Sequence, residues 1–193
     1  METNPQVIVI AGPNGAGKTT LAPFLLRDEL AIHRYVNADP IALGLSGFDP
    51  SSVSFEAGRV MLNRLRSLVL ESQTFALEST LAGKAYGRWI TQIKKQGYGA
   101  QLIFLWLRSP ELAVQRVAER VRDGGHHVPE EVIRRRYFTG LRNFWTIYQP
   151  LADAWAVYDN SERACKTIAR GNRDVQLLIY DKLSWIKFSA TRP

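Results

Sequence analysis

The chain has 193 residues, a formal net charge of +7 and a pI of about 9.8. Its length favours one domain around one core, and its 46% hydrophobic content excludes a disordered chain. Cys165 is the only cysteine, which excludes an internal disulfide or a cysteine-based zinc site and favours a reducing compartment. The positive charge favours anionic partners, either phosphorylated small molecules or nucleic acid.

A phosphate-binding motif lies near the N-terminus. Residues 12–19 read G-P-N-G-A-G-K-T, after the strand-like run Val7–Ala11 and before a segment that can continue as a helix. Glycines let successive backbone N–H groups face a phosphate, and the helix dipole adds positive potential. We expect Lys18 to reach the β- and γ-phosphates and Thr19 to bind Mg²⁺. The predicted nucleotide-binding residues are Gly12, Pro13, Asn14, Gly15, Ala16, Gly17, Lys18, Thr19 and Thr20.

Strand-like and helical patterns alternate along the chain. The predicted strands are Val7–Ala11, Arg34–Asn37, Phe75–Glu78, Gln101–Leu107 and Trp155–Tyr158. The predicted helices lie near residues 18–30, 52–72, 84–96, 110–122 and 130–148. This alternation predicts an α/β fold, with a mainly parallel sheet flanked by helices on both faces and one domain over residues 1–193.

Two carboxylates follow predicted strands, where such sheets bind ligands. Asp39 can accept a proton from a substrate hydroxyl, bind Mg²⁺ through water, or simply cap a helix that begins at Asp39-Pro40. Glu78 can bind a substrate hydroxyl or join the metal shell, with Thr80 as a polar neighbour, or it can cap the following helix. The residues alone leave these alternatives open.

Six arginines fall between Arg116 and Arg136. Arg116 and Arg120 share a helix face, and the glycine loop with His126 and His127 separates them from the remaining arginines on the next helix. We interpret residues 116–136 as a lid whose arginines neutralise a transferring phosphate, with both histidines as lid residues and not zinc ligands.

The rest of the chain carries weaker signals. No acid follows the predicted strand Gln101–Leu107, which ends in Leu107-Arg108, and this argues against motor or ABC-type ATPases. The aromatic segment 144–148 is typical of core. Lys166–Ala169 and Val175–Tyr180 are predicted as further strands, and the last dozen residues receive no assignment.

These motifs, taken in order, resemble the zeta-toxin family of P-loop kinases, in its compact bacterial branch. The resemblance spans roughly residues 6–170. It is carried by the segments 12–20, 37–39, 75–81, 97–98, 105–107, 109–113, 116–121, 124–130, 133–136 and 158–161.

The resemblance implies a three-layer, kinase-like P-loop fold that transfers phosphate from ATP, with Mg²⁺, to a hydroxyl of a UDP-activated amino sugar. Asp39 then matches the general base and contacts the substrate, while Lys18 and Thr19 match the phosphate and Mg²⁺ residues. Glu78 and Thr80 match a substrate-binding strand end. Arg116 matches one member of a charge-stabilising pair.

The second member of that pair is Arg120, Arg122 or Arg134. We assign Arg120 to catalysis and Arg134 to substrate binding. The resemblance also makes an antitoxin protein a candidate partner, although no residue identifies one.

The leading prediction is therefore an ATP- and Mg²⁺-dependent small-molecule kinase that acts in the cytoplasm, with no membrane partner. The longest strongly apolar run, Leu102–Leu107, is too short to cross a bilayer. The alternative is a nucleotide-binding toxin or regulatory module that acts on RNA or a protein. The high pI and the arginine cluster motivate that alternative, and it predicts RNA binding that weakens steeply with salt.

Overall fold

The computed structural model describes residues 4–173 and 177–193 and contains a seven-stranded sheet in the order β2-β3-β1-β4-β5-β6-β7. The strands are β1 (Gln6–Ala11), β2 (Tyr35–Val36), β3 (Phe75–Ser79), β4 (Gly99–Trp106), β5 (Ala154–Asp159), β6 (Lys166–Asn172) and β7 (Leu178–Ile179). The first five strands in chain order pair in parallel, whereas β6 and β7 add to one edge in antiparallel fashion.

Helices connect the parallel strands, as parallel pairing requires. They are α1 (Lys18–Ala22), α2 (Ala38–Leu45), α3 (Ser54–Leu70), α4 (Ala85–Lys94), α5 (Pro110–Arg122), α6 (Glu130–Asn143), α7 (Gln149–Leu151) and α8 (Lys182–Ser189). Two π-helical segments, Pro23–Asp28 and Phe144–Tyr148, continue α1 and α6. Among the described residues, no helix is both long and apolar enough to cross a membrane.

Strand β1 is the middle one of the five parallel strands, a position that suits it because its side chains can be buried on both faces. Val9 pairs with Leu77 of β3 on one side and with Leu102 of β4 on the other. Residues Val7 to Ala11 are at most 2% exposed, as expected for a near-continuous apolar run in a parallel sheet. The loop that follows β1 is therefore fixed between the carboxyl ends of β3 and β4.

An aromatic cluster fills the core beneath β4 and β5. The Phe104 ring lies 4.8 Å from that of Phe144 and 5.9 Å from that of Phe188. The π-helical segment after α6 contributes Phe144, Trp145 and Tyr148, all of them buried. The prediction that this aromatic segment belongs to the core is confirmed.

The predicted α/β fold class is confirmed, with its mostly parallel sheet flanked by helices. The predicted helix over 110–122 has the observed bounds, because Ser109 accepts a hydrogen bond from the backbone N–H of Leu112 and Pro110 occupies the first turn. The predicted strand over 166–169 is present and extends to Asn172.

Three expectations need correction or restriction. The single helix predicted over 18–30 changes to π-helical geometry at Pro23, because proline has no N–H for the α-helical ladder. Helix α8 was not predicted, and α2 was predicted only as the alternative in which Asp39 caps a helix that begins there. Residues 175 and 176 of the strand predicted over 175–180 lie outside the described residues, and within 178–180 only Leu178–Ile179 form a strand.

Candidate active site

The phosphate-binding loop between β1 and α1 needs glycine at two crowded positions. Gly12 has φ 147°, and a Cβ there would come within 2.3 Å of the Leu105 carbonyl oxygen. Gly17 has φ 78° at the start of α1, and a Cβ would approach Asn160 Nδ2 to 2.7 Å. Both positions combine a left-handed backbone with close neighbours, so a side chain at either would deform the loop.

Lys18 is held inside this loop. Its ammonium group donates a hydrogen bond to the Pro13 carbonyl at 3.0 Å and lies 3.6 Å from Glu78 Oε1. The residue is only 6% exposed, and this burial lowers the pKa of Lys18, against the opposing effects of Glu78 and Asp39. A buried cation at the mouth of a helix is placed to meet an anion that replaces its lost hydration.

Glu78, at the end of β3, accepts three hydrogen bonds on one carboxylate oxygen. Thr19 Oγ1 donates to its Oε2 at 3.0 Å, Asn37 Nδ2 donates at 2.9 Å, and the Tyr35 hydroxyl donates as well. Burial, and secondarily the adjacent Glu78, raise the pKa of Tyr35, so its hydroxyl remains a donor. These contacts fix the Glu78 carboxylate against the phosphate-binding loop, and Glu78 does not cap the following helix, α4, because Lys84 is the residue at its N-cap position.

Asp39 lies in the first turn of α2 and is exposed. Asn37, not Asp39, caps this helix, because its Oδ1 accepts the backbone N–H of Asp39 at 2.9 Å. The interpretation of Asp39 as a helix cap is thus wrong, and its carboxylate is not used to cap α2. Asn37 also donates to Glu78, so one side chain connects the start of α2 to the phosphate-binding loop.

A cavity of about 740 Å³ brings most of the predicted residues together. Its lining includes the predicted residues Asn14, Gly15, Gly17, Lys18, Thr19, Thr20, Asp39, Glu78, Thr80, Arg116 and Arg120. Three further residues of the loop, Gly12, Pro13 and Ala16, are buried and do not line the cavity. Arg134 does not line it either: its guanidinium pairs with Glu111 at 2.6 Å and with Glu130 at 2.7 Å on the surface.

The guanidinium groups of the two predicted arginines on α5, Arg116 and Arg120, already donate some of their hydrogen bonds to backbone carbonyls. Arg116 donates to the carbonyls of Asn160 at 2.6 Å and Ser161 at 3.2 Å, so it braces the loop after β5. Arg120 donates through Nη2 to the His126 carbonyl at 2.6 Å, while its buried Nε has no acceptor. Arg120 therefore connects the cavity wall to the glycine–histidine loop.

Arg136 also lines the cavity and was not singled out from the sequence. No described carboxylate lies within ion-pair distance of it. Partial burial and the neighbouring Arg135 lower the pKa of Arg136, with Asp39 opposing. Gly140 lies one turn after Arg136 on the same face of α6. A Cβ at Gly140 would come within 2.4 Å of the Thr80 carbonyl oxygen, so glycine at this position lets α6 approach the end of β3 closely. No local sequence signal distinguishes Arg136 from Arg134, because the packing of Gly140 on Thr80 decides which of them faces the cavity.

A second cavity of about 630 Å³ adjoins the first. The two share Thr19, Ala38, Asp39, Arg120 and Gly125 in their linings. One wall comes from α2 and the loop after it, including Leu43 and the fully exposed Phe48, and the opposite wall contains His126 and His127. Asp39 therefore lies at the junction between the cavity at the phosphate-binding loop and a second chamber.

The loop after β5 completes the cavity wall. Asn160 Nδ2 donates to the Ala16 carbonyl at 2.9 Å, and Glu162, Arg163 and Cys165 line the cavity beyond it. Arg108 pairs with the buried Asp159 at 2.8 Å. Arg108 follows β4 at the place where many P-loop ATPases carry an acid, and here it holds the loop after β5 in place.

The residues present suit a magnesium ion bound together with a nucleotide. Thr19 Oγ1 and the Glu78 carboxylate are hard oxygen groups that lie side by side at the phosphate-binding loop. Mg²⁺ prefers such oxygen ligands and commonly uses one or two protein groups together with substrate phosphates.

The strand order, the glycine loop and the buried lysine define a P-loop domain. A family model described as an AAA domain (AAA_33) matches residues 7–138. The chain belongs to this family of AAA domains. An uncharacterized protein of Haemophilus influenzae is 27% identical over 132 residues, which are 68% of this chain and 92% of that protein.

Solved structures share the fold at low sequence identity. One, from work on the PezAT chromosomal toxin–antitoxin system of Streptococcus pneumoniae, has a TM-score of 0.63 at 18% identity and covers 85% of this chain and 71% of its own. AvrRxo1-ORF1:AvrRxo1-ORF2 with sulphate ions reaches 0.76 at 13% identity, covering 98% and 65%. A putative kinase from Chloroflexus aurantiacus reaches 0.56 at 17% identity, covering 71% and 79%.

Proposed function

We propose that this protein is an ATP- and Mg²⁺-dependent phosphotransferase that acts on a hydroxyl of a small molecule. The observation that carries the proposal is the position of Asp39, which lines both the cavity at the phosphate-binding loop and the adjoining chamber. A group at such a junction can serve both a bound nucleotide and a second substrate. The AvrRxo1 pair, which shares this fold, has also been solved with ATP.

The proposed reaction is an in-line displacement at the γ-phosphorus of ATP. The acceptor oxygen forms a bond to phosphorus, the bond to the β,γ-bridging oxygen breaks, and ADP leaves. The Asp39 carboxylate takes the proton that the acceptor hydroxyl releases. Asp39 is exposed and is not used as a helix cap, which leaves it available for this proton transfer.

Negative charge on the transferring phosphate needs cationic neighbours. Lys18 would hold the β- and γ-phosphates, and bound Mg²⁺ would neutralise charge beside Thr19. Three cavity arginines have donors to offer: Arg120, whose buried Nε lacks an acceptor among the described residues, and Arg136 and the exposed Arg163, which have no carboxylate partner among them. Arg116 contributes indirectly, because its guanidinium already binds the carbonyls of the β5 loop.

The acceptor would occupy the second cavity, with its hydroxyl near Asp39. Thr80 lines the first cavity on the β3 side, in accordance with the resemblance, which implies acceptor contacts for Glu78 and Thr80. Arg134, bound to Glu111 and Glu130, is a poor candidate for that contact in this conformation. A UDP-activated amino sugar is the acceptor that the zeta-toxin resemblance implies.

The test is incubation of the purified protein with Mg²⁺-ATP and a panel of hydroxyl acceptors led by UDP-N-acetylglucosamine. Products are identified by mass spectrometry beside the variant Asp39→Asn, whose ADP affinity is measured separately. A phosphorylated product from the wild type, with the variant slowed by about 10²–10⁴-fold and still binding ADP, supports both the activity and the base.

Two outcomes contradict the proposal in different ways. Normal turnover by Asp39→Asn overturns the base assignment and leaves the activity standing. No product from any acceptor, with ATP bound, favours the alternative of a nucleotide-binding module that acts on RNA or a protein partner such as an antitoxin. RNA binding that weakens steeply with salt would then identify the first of these.

A further inference from the structure

The two cavities of the site differ in the cations that line them. The cavity at the phosphate-binding loop is lined by Lys18 and four arginines. Among the described residues that line the second cavity, Arg120 is the only lysine or arginine, and it is shared with the first cavity. Its Nη2 already donates to the His126 carbonyl. In the described part of the chain, the second cavity thus has no lysine or arginine of its own with which to hold a phosphate.

Asp49 gives the second cavity a fixed negative charge. It lies in the loop between α2 and α3 and lines the cavity. Its Oδ1 accepts hydrogen bonds from the Ser51 hydroxyl at 2.6 Å and from the backbone N–H of Ser52 at 3.3 Å, and these bonds lower the pKa of Asp49. No described lysine or arginine lies within ion-pair distance of it. The carboxylate is therefore ionised at neutral pH without a counter-ion from the described residues.

The rest of the lining of the second cavity is largely apolar. Leu43 and Phe48 are exposed side chains of one wall, and Pro50 also lines the cavity. His126 and His127 on the opposite wall offer ring nitrogens rather than a permanent charge. Apolar side chains that line a cavity favour a ligand whose own apolar surface can cover them.

A phosphate-bearing acceptor would fit this lining poorly. When a nucleotide fills the first cavity and the reacting hydroxyl lies at Asp39, the rest of the acceptor extends into the second cavity. A diphosphate there would need arginine or lysine donors, which commonly hold phosphates in proteins. It would instead meet the Asp49 carboxylate, and a like charge placed near a ligand is a common means of rejecting it.

We propose that the acceptor is a hydroxyl compound with an apolar part and no phosphate group, and that Asp49 rejects acceptors that carry phosphate. This inference rests on the proposed phosphotransferase function and names the acceptor class of that site. It differs from the UDP-activated amino sugar that the zeta-toxin resemblance implies. The transfer itself is unchanged: the acceptor oxygen bonds to the γ-phosphorus, ADP leaves, and Asp39 takes the proton of the hydroxyl.

The test compares acceptors that share a sugar and differ in what the sugar carries. Phenyl N-acetyl-β-glucosaminide has an aromatic ring where UDP-N-acetylglucosamine has a nucleoside diphosphate, and this pair leads the acceptor panel. The value of kcat/KM for each is measured with saturating Mg²⁺-ATP for the wild type, Asp49→Asn and Glu71→Gln. Asparagine keeps the Oδ1 acceptor for Ser51 and removes only the charge, while Glu71 is an exposed carboxylate outside both cavities.

The wild type should prefer the phenyl glycoside by about tenfold or more in kcat/KM, because like-charge contacts are costly. Asp49→Asn should raise the kcat/KM of UDP-N-acetylglucosamine relative to that of the phenyl glycoside by about two- to tenfold, as expected for an exposed charge. This change in the ratio should shrink in about 0.5 M NaCl, since salt screens exposed charges. A structural effect of the substitution would not depend on salt in this way, and Glu71→Gln should leave the ratio unchanged.

Different results overturn different parts of the inference. A wild type that phosphorylates only the phosphate-bearing acceptors, or phosphorylates them as well as the others, would overturn the proposed acceptor class. A ratio that Asp49→Asn leaves unchanged, or that Glu71→Gln changes equally, would overturn the role of Asp49. No product from any acceptor would overturn the proposed phosphotransferase function itself, which separates that failure from the other two.

Discussion

The two sides of the cavity differ in how completely their polar groups are partnered. On the phosphate side, the buried Lys18, the partly buried Glu78 and Thr19 form a network whose hydrogen bonds are already made. On the acceptor side, Asp39 is exposed and Phe48 is fully exposed. The difference indicates that the fold alone forms the phosphate-binding side, whereas the proposed acceptor chamber would be completed by its ligand.

This contrast follows from the backbone elements on each side. The phosphate-binding loop is fixed between three neighbouring strands, and its shape depends on glycines that contact Leu105 and Asn160. The acceptor chamber is bounded by the loop after α2 and by the glycine–histidine loop between α5 and α6. Loops on a rigid scaffold commonly carry selectivity, so variants on the two sides should separate chemistry from acceptor choice.

The largest effect is expected on the phosphate side. Lys18→Met should lower phosphate transfer by about 10²–10³-fold, because it removes a preorganised charge from the phosphoryl site. The thermal midpoint should not fall. Burial lowers the pKa of Lys18 in the folded protein from its ordinary value of 10.5, so folding at neutral pH carries an electrostatic cost at this side chain, and methionine removes that cost.

Measuring the stability of the wild type and of Lys18→Met as a function of pH tests the direction of this effect. As the pH rises from the folded pKa toward 10.5, the cost in the wild type declines, so its stability should approach that of Lys18→Met. Lys84→Met, at an exposed lysine outside the cavity, is the control and should change neither rate nor midpoint. A clear loss of stability in Lys18→Met would instead mean that pairing with Glu78 outweighs the burial cost.

A second large effect separates two arginines of α6. Arg136→Ala should lower phosphate transfer by about 10²-fold, because Arg136 lines the cavity and has no carboxylate partner in the described part of the chain. Arg134→Ala should leave the rate near that of the wild type, since Arg134 pairs with Glu111 and Glu130 outside the cavity. The measurement is the initial rate of acceptor phosphorylation by each variant. A larger loss of rate in Arg134→Ala than in Arg136→Ala would mean that Arg134, and not Arg136, acts in the cavity.

A third variant tests whether α6 must approach β3 closely. Gly140→Ala places a Cβ 2.4 Å from the Thr80 carbonyl and should destabilise the protein by about 1–3 kcal/mol, as overpacking does. It should also lower the transfer rate, because Arg136 is displaced with the helix. Gly58→Ala in α3 meets no atom within 4 Å and should stabilise the protein by about 0.4–1 kcal/mol. Urea unfolding measures both, and equal shifts would contradict the close-contact argument.

Much of the phosphate side was predictable from the sequence, because its signals are local. The motif 12–19 sits between an apolar strand and a helix start, and the alternation of patterns predicts the sheet whose carboxyl edge carries Asp39 and Glu78. These signals need only neighbouring residues to be interpreted.

The features that the sequence did not predict depend on contacts between residues far apart in the chain. Nothing near Arg134 or Arg136 in the sequence tells which one points at the cavity, because the answer is set by the packing of Gly140 on Thr80. Asn37 was noted only within a motif, and its bond to Glu78 requires the adjacency of β2 and β3. Helix α8 escaped assignment for a similar reason: its Phe188 packs on rings from β4 and the segment after α6.

The smallest effect is expected on the acceptor side, and it tests the idea of a chamber completed by its ligand. Phe48 lines the second cavity and is fully exposed, so Phe48→Ser should leave the free energy of unfolding unchanged. An aromatic contact is worth about 0.5–1.5 kcal/mol, which corresponds to a rise of about two- to tenfold in the KM of the acceptor. The KM of ATP should stay the same, because Phe48 does not line the phosphate cavity. Phe55→Ser is the matched control, since Phe55 is 82% exposed but outside both cavities. If the two variants raise the acceptor KM equally, the second cavity does not hold the acceptor, and the separation between a rigid phosphate-binding side and a ligand-completed chamber is lost.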